Sequence, residues 1–497
     1  MSTRIRIGRK GVLRILLCAA IFLLPSSVIN LHAQTPLTLE RAIRLAQDST
    51  IAAFESRYEK ESRMLHYDEF MALRKPQLNL RVAPNYYRLI TDLSYDYIDI
   101  DNYNNLSAAA SVTLSQKMLN WGGEAYIGTK AIGTGYFNAD NANSWQYMAA
   151  PILMGYRQTL LGYNPYRWEK AVEDQRLKAA RQQYEYDMNA IAEETVRRFF
   201  QLICAQGELE MFKRNVEITD TLYAISREKA SIAMVPIADL HSLELDRVNA
   251  VNQLAMARTA EEVARTRLAS FLRKSGDSLD SEIFNFKSSV FNLEAKPVSL
   301  TTAEAIGMAM ENSPVLQHQM AQVIESYQEE QKARKEKGLN VALDLNVGMQ
   351  QVNQHLGDAY RDQRFYALGS VTLSVPLMDH GAAKKRHAAA QAWVEREEKA
   401  LDEARRALRE EVTTTMQDAG TYYQLLERTL QGTIKADRLY EQVADDYANG
   451  LCDINTYALT ERRRSDAYQY YLKTLEKYWT TYYHLKTLVG INESKKL

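Results

Sequence analysis

Cysteine, proline and long apolar runs are what this chain has least of, and each shortage removes a class of protein. Three cysteines in 497 residues, Cys18, Cys204 and Cys452, make neither a disulfide framework nor a metal cluster. Ten prolines leave long stretches without a breaker, which favours long helices. After the N-terminal region no segment reaches the roughly 18 uncharged apolar residues of a membrane-spanning helix. An exported chain of this kind can span a membrane only as a closed β-barrel. Neither sign of charge dominates. The net is -1, from 61 basic and 62 acidic residues, so a nucleic-acid partner has no compositional support. Motifs for catalysis are missing too: the chain has no P-loop, no dinucleotide fingerprint and no G-x-S-x-G elbow. His380 and His387 stand beside Lys384, Lys385 and Arg386 with no carboxylate or cysteine placed to complete a metal site. No enzymatic activity, metal or cofactor is expected.

What is present begins with a leader. Residues 1–33 have a basic start (Arg4, Arg6, Arg9, Lys10, Arg14), an apolar run from Ile15 to Leu24 and a small residue at Ala33, the pattern of a secretory signal peptide. The apolar run falls short of the roughly 20 residues of a membrane anchor. Its removal takes five basic residues and leaves the mature chain near -6, that is -1 minus 5.

The chain then repeats itself. Leu37–Ile51 reads LTLERAIRLAQDSTI and Leu300–Pro314 reads LTTAEAIGMAMENSP. A shift of 263 (300 minus 37) superposes Leu37, Thr38, Ala42, Ile43 and Ala46 on Leu300, Thr301, Ala305, Ile306 and Ala309. Each copy is followed by a helix, alternating strands and two long helical runs. The first unit spans 34–274, with strands within 77–161 and a helical hairpin over 167–274. A linker covers 275–298. The second unit spans 299–491, with strands within 341–377 and a hairpin over 382–489, and 492–497 is a tail.

The strands announce themselves by period two. Leu78, Leu80 and Val82 alternate with polar neighbours, and Leu106, Ala108, Ala110, Val112 and Leu114 alternate with small or polar ones. Asn120–Gly123 forms a turn, Ala125 to Phe137 continues the alternation, and Trp145–Leu161 is a fourth strand. Val341 to Met349 and Ala367 to Leu377 are the strands of the second unit. The helical runs Arg167–Ser231 and Ala382–Ala448 are each roughly 100 Å long at 1.5 Å per residue. Their narrow apolar stripes suit a soluble coiled-coil scaffold without a pore as well as a tunnel wall. The strands favour the tunnel.

This order of elements behind a signal peptide resembles the TolC-like outer membrane efflux protein family over nearly the whole mature chain. The carriers are the two L-T-x-x-x-A-I openings, the strand exits SVTLSQKMLNWGG and SVPLMDHGAAKKR, and the paired helix-to-helix turns AMVPIADL and GLCDINTY. The turns lie 217 apart (450 minus 233), and only the second keeps its glycine. The resemblance implies an α+β membrane protein, a homotrimer whose single β-barrel is shared between chains and continues into a periplasmic α-helical tunnel. Six strands in one chain cannot close a membrane barrel, because single-chain bacterial barrels start at about eight. Family members contribute four strands per chain, so the first unit carries an extra hairpin, Ala125 to Leu161.

The resemblance also implies a function and sites. The chain would be the passive outer-membrane exit duct of a tripartite efflux or type I secretion system, served by a periplasmic adaptor and an inner-membrane pump driven by protons or ATP. The periplasmic tips of the long hairpins close the tunnel in this family. By motif position, Asp239 and Tyr447 form the candidate latch at that entrance, and Ala233, Met234, Gly450 and Leu451 form the adaptor-docking tips. Cys452, Thr456 and Leu459 stand where the family's drug exporters carry an arginine and acidic rings, so a cation-selective entrance is not expected.

Overall fold

The chain builds two matched sets of helices joined to one sheet. In a computed structural model, the described residues are 37–89, 103–118, 121–137, 144–232, 236–272, 297–449 and 451–491. The expected signal peptide (1–33), most of the 275–298 linker and the 492–497 tail lie outside them.

In chain order the elements are α1 (Leu39–Ser49), α2 (Ile51–Leu73), β1 (Gln77–Leu89), β2 (Tyr103–Met118), β3 (Gly123–Phe137), β4 (Ser144–Leu161), α3 (Pro165–Ser231) and α4 (Ile237–Leu272). The second set is α5 (Thr302–Asn312), α6 (Pro314–Glu336), β5 (Asn340–Asn353), a single turn α7 (Leu356–Ala359), β6 (Arg364–Ser374), α8 (Ala382–Ala448) and α9 (Ile454–Val489). With the single turn α7 set aside, the four helices of each set have the same lengths, 11, 23, 67 and 36 residues. The short turn α7 falls in a stretch that reads as loop from the sequence, where no periodicity of either kind is visible.

Matching side chains start the matching helices. Thr38 and Thr301 cap α1 and α5, and Thr301 completes a capping box with Glu304. Thr50 and Ser313 then end those helices and cap α2 and α6. Each cap satisfies backbone donors that helical bonding leaves over. α1 buries Ala42, Ile43 and Ala46 against Phe199, Phe200 and Ile203 of α3, Leu268 and Leu272 of α4, and Leu475 and Tyr478 of α9. α5 does the equivalent with Ala305 and Ala309 against Val412 of α8 and Leu485 and Val489 of α9. At the end of α9, Gly490 adopts φ +71° against Asn312, whose Cβ would lie 2.6 Å from a side chain placed there. Asn312 Nδ2 donates to the Val489 carbonyl at 2.9 Å. A left-handed glycine stop of this kind leaves room for that bond.

All six strands form one antiparallel sheet in sequence order, β1-β2-β3-β4-β5-β6. The extra hairpin β3–β4 is thus part of the sheet, inserted between β2 and β5. It is tied in from both sides. Tyr126 of β3 lies across Gly155 of β4, where any side chain would collide with its ring, and its hydroxyl donates to Asn346 of β5. Arg157 of β4 pairs with Asp344 of β5 at 3.1 Å. β1 and β6 are the edges, each hydrogen-bonded on one side.

Candidate functional site

The candidate entrance is the far end of the helical hairpins, where α3 turns into α4 and α8 into α9. Asp453 caps α9, accepting from the Thr456 N–H at 3.0 Å, and the Leu451 N–H closes the turn on the Asp446 carbonyl at 2.8 Å. Leu451 projects from the apex, 76% exposed. Tyr447 stacks on Tyr457 at 5.1 Å between ring centroids, and Tyr457 shares a 2.9 Å hydroxyl contact with Tyr440. Burial, and then the neighbouring Cys452, pushes the Tyr447 hydroxyl above its ordinary pKa. Among the described residues that hydroxyl has no hydrogen-bond partner. Ala233, Met234 and Gly450 lie outside the described residues, as does the side chain of Asp239, which occupies the first turn of α4.

Above the tips, each hairpin carries the same cross-helix clamp. In the second, Arg464 Nε donates to Asp437 Oδ1 at 2.7 Å, its Nη1 lies 3.5 Å from Glu461 Oε2, and its guanidinium covers the Tyr440 ring at 4.4 Å. In the first, Arg247 Nε donates to Asp220 Oδ1 at 2.5 Å and covers the Tyr223 ring at 5.6 Å. Asp220, Tyr223, Glu244 and Arg247 map onto Asp437, Tyr440, Glu461 and Arg464 with one offset of 217 (437 minus 220). That is the offset of the two tip motifs. The copies differ in burial: the Arg464 side chain is 22% exposed and that of Arg247 49%. Burial holds the Glu461 carboxyl above the usual range against the pull of Arg464.

These clamp residues are absent from the sequence reading, although the paired D-x-L-Y and E-x-x-R fragments at the tip offset are a usable signal. Reading the tip motifs alone stops short of them.

Elsewhere in the helices, His484 of α9 lies between Glu193 of α3 (3.2 Å) and Glu411 of α8 (3.5 Å). The Glu193 bond raises its pKa. Cys204 is partly buried, and desolvation pushes its thiol up to about 12, which withholds the nucleophilic thiolate. Among the described residues, no group of three or more His, Cys, Asp or Glu is placed to hold a metal ion.

The other functional surface is the sheet. One face carries Leu78, Leu80, Val82, Leu345, Val347 and Met349, all well exposed, and in this respect it is the reverse of a water-soluble sheet. No described helix is long and apolar enough to cross a membrane.

An apolar-faced antiparallel sheet joined to duplicated 67-residue helices defines the fold class of TolC-like outer-membrane channels. Residues 305–491 match the family described as outer membrane efflux protein, so the resemblance carried by the sequence motifs holds. No curated protein matches the sequence. Among solved structures, the fold is similar to the Campylobacter jejuni CmeC outer membrane channel, with TM-score 0.65 and 13% identity over 92% of this chain and 87% of that one. It is also similar to the Vibrio cholerae outer membrane protein VceC (0.62, 10%, covering 91% and 96%). The open state of the Neisseria gonorrhoeae MtrE outer membrane channel gives 0.61 and 14%, covering 91% and 88%. At these identities the likeness establishes the fold.

Proposed function

We propose that this protein is the outer-membrane channel of a tripartite efflux or type I secretion system. The observation that carries this reading is the sheet: its exposed face is apolar, and its two edge strands have one free side each. Unpaired edges cannot lie in hydrocarbon, and six strands are too few to close on themselves. Three chains joined β1 to β6 make a barrel of 18 (three times six), and barrels of roughly 16 to 18 strands leave an aqueous channel. The paired helices continue that lumen into the periplasm. The channel is passive, and energy comes from an inner-membrane pump reached through a periplasmic adaptor. A poreless periplasmic scaffold would have no use for the lipid-compatible face.

The tips are the entrance. Ala233, Met234, Gly450 and Leu451 receive the adaptor, and the exposure of Leu451 supports that role. Tyr447 and Asp239 form the latch, which is supported by a Tyr447 hydroxyl with no partner among the described residues.

The test is to purify the protein from outer membranes, compare heated with unheated gel migration and record conductance in planar bilayers. A heat-labile trimer that forms discrete channels is the expected result. A monomer that washes off membranes and conducts nothing overturns the reading.

A further inference from the structure

The charged residues of the sheet follow the same alternation as its apolar ones. Every described charged side chain of the six strands falls on the face opposite the apolar stripe. In a closed barrel that face is the lumen. Two rows across it differ in charge.

In the row nearest the helices the signs alternate. Lys117 of β2 faces Glu124 of β3, which faces Arg157 of β4, which faces Asp344 of β5. This row is neutral. Six residues further along β3 (130 minus 124), Lys130 faces Ser111 of β2 on one side and Ala150 of β4 on the other, and Ser111 faces Arg81 of β1. Arg81 and Lys130 therefore share a row that contains no carboxylate. They stand two strand spacings apart, roughly 9.6 Å, which is about one Debye length in physiological salt. Among the described residues neither has an ion-pair partner. Arg364 of β6, opposite Gln350, stands six residues from Ser370 (370 minus 364), the neighbour of Asp344, and so adds a cation at the level of the Arg81 and Lys130 row. Joining β6 to β1 brings no acidic group in any register, because Arg364–Ser374 reads RFYALGSVTLS.

From this we propose that Arg81 and Lys130 form an uncompensated cationic belt that makes the barrel select anions, so that the cargo it passes most readily is anionic. The inference rests on the channel reading above. A lumen lined by one sign of charge between low-dielectric walls concentrates the opposite ion, and rings of Arg or Lys favour anion passage. The inserted hairpin is what supplies Lys130.

Reversal potentials of the full-length protein in planar bilayers under a KCl gradient test this. Wild type is expected to pass chloride in preference to potassium. Arg81→Gln with Lys130→Gln should lower the permeability ratio several-fold toward unity, and Arg81→Glu with Lys130→Glu should take it below one. Should the charge-reversed variant fail to assemble, the glutamine pair, polar and similar in size, carries the comparison. Lys117→Gln with Glu124→Gln, which removes one charge of each sign from the neutral row, should leave the ratio unchanged. Potassium preference in wild type, or a ratio that the glutamine pair does not move, overturns the inference and leaves the channel standing. Complete absence of conductance overturns both.

Discussion

At the scale of single residues, the two clamps test what burial does to the same chemistry. Arg464 is the partner of Glu461, whose side chain is 7% exposed, whereas Arg247 and Asp220 are both about half exposed, at 49% and 45%. Exposed ion pairs contribute roughly 0 to 1 kcal/mol. Breaking a buried pair from one side costs about 3 kcal/mol or more, because the remaining charge is left uncompensated. Arg464→Met should therefore lower the thermal midpoint of the assembled protein clearly more than Arg247→Met. Glu461→Gln in the Arg464→Met background should recover part of the loss, since it removes the orphaned acid. Equal effects of the two arginine substitutions would contradict the burial argument.

His484 makes a second residue-scale prediction. Its folded pKa is raised, first by the Glu193 hydrogen bond and then by the charges of Glu193 and Glu411, against opposing desolvation. A raised histidine pKa contributes stability that is fully present below the unfolded value of about 6.5 and is lost as pH rises through the folded value. The wild-type thermal midpoint should fall between pH 6 and pH 9 by more than that of His484→Gln. Parallel pH profiles for the two proteins would count against it.

At the scale of elements, the inserted hairpin β3–β4 is separable in principle. β2 and β4 run in the same direction, because each pairs antiparallel with β3, so β2 could pair with β5 if the hairpin were absent. Deletion of residues 119–161 should leave four strands per chain, a narrower barrel and a lower single-channel conductance. The variant should also melt earlier, because Asp344 and Asn346 lose Arg157 and Tyr126. Unchanged conductance with intact trimers would mean that β3 and β4 do not line the lumen. The long helices behave differently. Each 67-residue run is longer than its 36-residue return helix and gains its order from packing on that helix and on α6, consistent with the small part that intrinsic propensity plays in tertiary helices.

At the scale of the whole molecule, the proposed latch between Tyr447 and Asp239 would join two hairpins whose sequences are far apart. A hydrogen bond to a charged group contributes roughly 1.5 to 3 kcal/mol, enough to bias a gate that an adaptor can open. Tyr447→Phe with Asp239→Ala should raise single-channel conductance in bilayers, and unchanged conductance would discard the latch. The aromatic stack of Tyr447 on Tyr457 makes Tyr457→Ala a useful companion, expected to loosen the second tip without touching Asp239.

Much of the architecture was legible from local pattern. The echo of Leu37–Ile51 at Leu300–Pro314 marks two helix starts whose caps, Thr38 and Thr301, are visible as letters. The alternation at Leu106–Leu114 and Val341–Met349 reads as strand for the same reason: period, caps and breakers are properties of neighbouring residues. Only the tertiary structure decided which strands pair and in what register. Arg157 meets Asp344 across 187 residues, and Arg81, Ser111 and Lys130 come into one row through two separate pairings. Alternation tells which face a residue takes, but it is identical in every strand and carries no record of its partner. The clamps show the same division, since their residues stand 27 apart in sequence and meet only when the hairpin closes. Sequence alone thus determined the kinds of element, their order and their duplication, all set by short-range sterics and hydrogen bonding. The sheet order, the charge rows and the unequal burial of the two clamps came from long-range packing, because contact between distant segments depends on the folded geometry as a whole.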